Sequence, residues 1–146
     1  MIERFVKAQD EVYVQALEEI KSGRKRSHWM WFIFPQIKGL GLSYKAIFFS
    51  IKDAEEAKEY LAHPLLGYRL REISQAILEL NTDNPLEIFG GIDTKKLRSC
   101  MTLFDFVEPN SIFDKVLMKF FKGKRDDITL NILEEQKKLN QVSDNE

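Results

Sequence analysis

Leu66, Leu70, Ile73, Ile77 and Leu80 recur every three or four residues, and the same spacing governs most apolar runs of the chain. That period gathers side chains on one face of a helix. Ile2, Phe5, Val6, Val12, Tyr13, Ala16, Leu17 and Ile20 predict a helical Met1–Ser22 segment ended by Gly23, with Asp10 placed to cap a restart in its middle. A strand through Trp31–Ile37 is the alternative for one aromatic stretch, but no second run of strict alternation offers it a partner. The chain therefore reads as all-α: a compact single-domain multihelical bundle of about seven to nine helices, with the domain at 1–140 and a frayed polar tail at 141–146.

Punctuation residues set the remaining boundaries. His28–Phe34 forms a turn or two of helix stopped by Pro35, and Tyr44, Ile47, Phe48 and Ile51 mark a short helix. Asp53 followed by Glu56 has the form of a capping box opening 54–62. His63-Pro64 and Asn84-Pro85 each end one element and start the next, the second opening a small helix that ends near Gly90. Asp93 caps a helix from Thr94 to about Val107, Asn110 caps Ser111–Lys122, Gly123 ends that helix, and Asp126 or Asp127 begins the last.

One stretch points beyond packing. In Gly23–Gln36, GRKRSHWMWFIFPQ, the cations Arg24, Lys25 and Arg26 run into His28, Trp29 and Trp31. From Ile20 to Lys52 there are seven Lys/Arg and no Asp or Glu; the net charge is −1, so the rest of the chain carries −8. A local positive field beside aromatic walls attracts anionic ligands. The plainer reading is that the aromatic block is core and the cations line a solvated turn.

Composition excludes several classes. The single Cys100 forms no intrachain disulfide, and Cys100, His28 and His63 have no metal-ligand spacing, so neither structural zinc nor another cofactor is expected. No apolar run reaches the roughly 18 residues that span a bilayer, and acids occupy the N-terminal stretch where a signal peptide is apolar. The expectation is a cytoplasmic protein with no membrane partner. A pI near 6.2 does not favour nucleic acid.

Gly23–Gln36, taken with His63-Pro64-Leu65-Leu66-Gly67 and Asp93–Phe104, resembles the DUF1810 (Rv1873-like) family, and the likeness runs from Arg4-Phe5 through Ile88-Phe89-Gly90 to Thr129-Leu130. The resemblance implies a multihelical fold and brings no assigned reaction. Cys100 stands where relatives commonly carry serine, which argues against it as an indispensable nucleophile.

A second cluster, Asp93, Lys96, Arg98, Ser99 and Thr102, crowds one helix with cations and hydroxyls beside a carboxylate. Phosphate suits such a helix start, although capping and solvation account for the same residues. The expectation is that Arg24, Lys25, Arg26, Trp29 and Trp31 converge with Lys96, Arg98, Ser99 and Thr102 on a phosphorylated, nucleotide-like ligand, with NAD- or ADP-ribose-related compounds as its more specific form. His28 and Asp93 are then the candidates for acid–base chemistry, if any reaction occurs. The alternatives are a non-enzymatic module docking an acidic protein on its basic face and, more weakly, an RNA-binding bundle.

Overall fold

In the computed structural model, which describes residues 1–144, nine helices follow one another: α1 Glu3–Asp10, α2 Tyr13–Lys21, α3 Met30–Ile33, α4 Tyr44–Phe48, α5 Ala54–Ala62, α6 Leu66–Leu78, α7 Pro85–Val107, α8 Ile112–Phe121 and α9 Asp127–Asp144. Among the described residues the extended chain forms one isolated parallel bridge, Ile37 with Ile51. The all-α reading holds. α9 continues through 141–144, and residues 145–146 lie outside the described part.

The core is aromatic and continuous. Phe5 packs edge-on against Tyr60, Tyr60 against Phe104, and Phe104 against Phe113, joining α1, α5, α7 and α8. Gln9, also buried, donates to the Phe32 carbonyl and the Tyr60 hydroxyl, so its amide nitrogen is satisfied within this core, whereas the buried Ser74 hydroxyl of α6 has no hydrogen-bond partner among the described residues. Cys100 is fully buried, and burial pushes its thiol well above the usual range, which removes it from nucleophilic chemistry.

Several boundaries rest on chemistry the sequence reading did not assign. The first helix breaks at Glu11–Val12, but Asp10 ends α1 and Val12 precedes α2 without a side-chain cap. Asp53 accepts from the Glu56 amide as expected, yet Glu56 returns to the Lys52 amide, not to Asp53. His63 Nδ1 accepts from the amides of Leu65 and Leu66, so an imidazole satisfies the start of α6. Asn110 adopts a left-handed conformation and Ser111 occupies the cap position of α8, so the expected Asn110 cap is not formed. Asp126 caps α9 through the Thr129 amide and hydroxyl.

The break at Gly90 decides where the first turn of the second half of α7 is placed. Its φ of 73° and ψ of −179° fall in a region essentially reserved for glycine, and a Cβ there would meet nothing within 4 Å. Conformation, not crowding, fixes the residue. The chain resumes helix directly at Gly91, so Asp93 lies within the first turn after the kink instead of capping a helix that starts at Thr94.

Candidate functional site

The basic loop between α2 and α3 is built around an acid. Glu19, buried on α2, accepts from the amides of Arg26 (2.7 Å) and Ser27 (2.9 Å) and from the Trp29 indole Nε1 (3.0 Å) through one oxygen. Its other oxygen accepts from Ser27 Oγ (2.6 Å) and Gln15 Nε2 (3.1 Å). Burial alone would raise this carboxyl's pKa, but the hydrogen bonds to the ionised form outweigh it and hold the value down at about 2. Glu19 therefore sets the path of residues 26–29.

The loop is also pinned to α7. The Lys25 amide donates to the Ile88 carbonyl (2.8 Å), immediately before the Gly90 kink. The Lys25 ammonium reaches Asp93 across the gap at 2.8 Å, donates to the Ser27 carbonyl and lies 4.9 Å above the Trp29 ring. Lys96, one turn beyond Asp93, sits 3.7 Å from the same carboxylate. A single acid thus draws the loop and the restarted helix together.

Between them lies a cavity of about 380 Å³ lined by Lys25, His28, Met30, Trp31, Phe89, Gly91, Ile92, Asp93 and Lys96. Met30 and Phe89 form apolar floor, and Phe89 is braced edge-on by Phe34. Trp31 is half-buried, with Lys96 4.8 Å and Lys45 5.0 Å from its ring. Around this indole and Asp93 stand three ammonium groups and one carboxylate.

Of the residues singled out in the sequence, Lys25, His28, Trp31, Asp93 and Lys96 line this one space. The others do not. Trp29 is 1% exposed and spends its N–H on Glu19, so it has no face free for a ligand. Arg24 and Arg26 are exposed on the outer side of the loop, Arg26 reaching back toward Ser22. Ser99 and Thr102 are buried and donate to the Lys95 and Arg98 carbonyls of their own helix. Arg98 opens on a different cavity, of about 560 Å³, beside Lys124 and the start of α9.

Lys45 and Glu19 were missed. Lys45 belongs to the acid-free run, but only the chain's return past Trp31 brings it to the ring. Nothing local in the sequence marks Glu19. A larger groove, about 790 Å³, runs along α6 and the α7–α8 corner, where Glu72, Glu79 and Glu108 face Lys21 and Arg71. Its acids outnumber its cations, and Arg71 is already paired with Glu108 at 2.7 Å, so it does not suit an anion. No group of acids, histidines or cysteine among the described residues is arranged to hold a metal ion, and no helix there is long and apolar enough to cross a membrane.

Comparison with known proteins agrees with this architecture. The crystal structure of the conserved hypothetical protein Rv1873 from Mycobacterium tuberculosis is similar to this chain at 44% identity and a TM-score of 0.88, over 90% of this chain and 95% of that one. No curated protein matches. The model of the protein family of unknown function DUF1810 matches residues 1–133, and the chain belongs to that family.

Proposed function

We propose that the cavity between the basic loop and the restarted α7 binds a phosphorylated, nucleotide-like small molecule. The observation that carries this reading is the meeting of Lys25, His28 and Trp31 with Lys96 and the first turn after Gly90 in one concave space. Its size falls at the lower end of small-molecule sites. First-turn amides and ammonium groups suit a phosphate, and a half-buried indole suits a planar base or a ribose face. Lys45 and Lys96 already occupy positions over the ring, so an incoming phosphate would draw ammonium groups off the indole as the base took their place.

Asp93 is committed to two ammonium groups and acts in this reading as the organiser of the cations. His28 is exposed at the rim, which leaves it as the group able to move a proton if a reaction takes place. The ligand class includes NAD-derived and ADP-ribosyl compounds alongside ordinary nucleotides and sugar phosphates.

Thermal stabilisation by a panel of ADP-ribose, NAD, nucleoside mono- and diphosphates, sugar phosphates and inorganic phosphate tests it. At a hundred times its dissociation constant a ligand adds about 2.7 kcal/mol. The expected result is stabilisation by a nucleotide that Lys96→Ala and Trp31→Ala each reduce at least tenfold in affinity while Arg98→Ala leaves it intact. A cooperatively melting protein that no compound stabilises would overturn the reading.

A further inference from the structure

Residues 42–48 carry four large apolar side chains, Leu42, Tyr44, Ile47 and Phe48, that lie outside the buried core. Leu42 is 91% exposed and Tyr44 79%; Ile47 and Phe48 are also exposed, and α4 contributes no buried residue. The group is nonetheless ordered. Ser43 caps α4 by accepting from the Ala46 amide, Tyr44 stacks on Phe48 one turn later, and Arg4 fastens the end of the helix by donating to the carbonyls of Phe48 and Ser50. A contiguous apolar surface of this kind marks a contact face.

Its charge says which kind. Lys38, Lys45 and Lys52 are exposed around it, and the segment lies wholly inside the stretch without an acid. Glu56, which reaches this region, is turned onto Arg4 and the Lys52 amide. A second copy is disfavoured, because a twofold contact would set this basic face against itself. Leu42 and Tyr44 stand out as knobs; a soft surface accepts them without a preformed groove.

We propose that α4 and the loop before it dock onto an anionic lipid surface, with Leu42, Tyr44, Ile47 and Phe48 in the interfacial layer and Lys38, Lys45 and Lys52 among the headgroups. Each lysine at such a surface and each inserted side chain adds modestly, so the attachment is reversible and salt-sensitive. The proposal concerns binding at the interface and involves no spanning helix; none of the described helices is long and apolar enough to cross a membrane. Lys45 is common to this surface and the cavity, since its ammonium lies 5.0 Å from the Trp31 ring, whereas Leu42 and Tyr44 belong to this surface alone.

Co-sedimentation with vesicles of phosphatidylcholine and phosphatidylglycerol at 3:1, against phosphatidylcholine alone, tests it. Binding to the anionic vesicles should be at least tenfold stronger, should weaken with added salt, and should fall at least tenfold in Leu42→Ser/Tyr44→Ser, whose exposed positions leave the melting temperature unchanged. If that pair disturbs folding, Leu42→Ser alone serves with a several-fold loss. Absence of binding, equal binding to neutral vesicles, unchanged binding of the variants, or a dimer in sedimentation that Leu42→Ser dissolves would each overturn the proposal.

Discussion

Glu19→Gln should lower stability at pH 7 by on the order of 2–3 kcal/mol, and Glu19→Ala by about 4 kcal/mol. Five donors converge on this carboxylate from the loop, from Trp29 and from Gln15. Glutamine can keep the three N–H donors on its amide oxygen and let Ser27 and Gln15 reorient, so it loses the charge but not the packing. Alanine leaves the indole and two amides with no acceptor. For a chain of this size each kcal/mol shifts the melting temperature by roughly 3 °C, so chemical denaturation and melting separate the two variants.

The acid dependence has a definite sign. The folded pKa of Glu19, about 2, lies below the ordinary glutamate value of 4.5. The contribution of the ionised group is therefore complete above about pH 4.5 and is lost as pH falls toward 2. Wild type should lose its advantage over Glu19→Gln within that window. A constant difference between them from pH 7 to pH 2.5 would show that the charge of Glu19 does not stabilise the loop.

Asp93→Asn should have opposite effects on folding and on binding. Lys25 is 9% exposed at its side chain and Asp93 20%, so removing the carboxylate leaves a nearly buried ammonium with only the Ser27 carbonyl and the Trp29 face. The cost is about 2 kcal/mol, below that of a fully buried pair because Asp93 keeps some solvent. The cavity simultaneously loses its negative charge. Affinity for a phosphate-bearing ligand should then rise by about tenfold, roughly 1.4 kcal/mol, provided Asp93 does not itself touch the ligand. Calorimetric titration of wild type and variant with the nucleotide that stabilises best reads this out. A fall in affinity would show that holding Lys25 and Lys96 in place, or a direct contact such as one to ribose hydroxyls, outweighs the repulsion between this carboxylate and the phosphate.

These expectations draw on both what the residue order conveys and what it conceals. The three- and four-residue spacing along α6 and α8 was enough for the fold, because each of those helices buries one face in a common core. Gly90 could be read as a stop, but not as a kink that leaves no gap; helix resumes at once because the chain needs a single unusual conformation there. The site was half legible. Lys25 and Lys96 lie 71 positions apart, and tertiary contacts the sequence does not mark, among them the bond from the Lys25 amide to Ile88 and the shared Asp93, bring them together. Trp29 and Trp31 look equivalent in the sequence, yet Glu19 claims the first as structure and leaves the second at the cavity. Arg98, Ser99 and Thr102 share a helix with Lys96, but helical rotation turns Ser99 and Thr102 into the core and Arg98 onto another surface.

The two tryptophans make a decisive reporter. In a ¹H–¹⁵N correlation spectrum titrated with the best-stabilising nucleotide, the Trp31 indole signal should move together with the amides of Lys25, Gly91, Ile92 and Lys96, while the Trp29 indole, held on Glu19, stays in place. Saturable shifts confined instead to the Arg98–Asp127 surface or to the α6–α8 groove, or no shifts at all, would contradict a ligand site between the basic loop and α7.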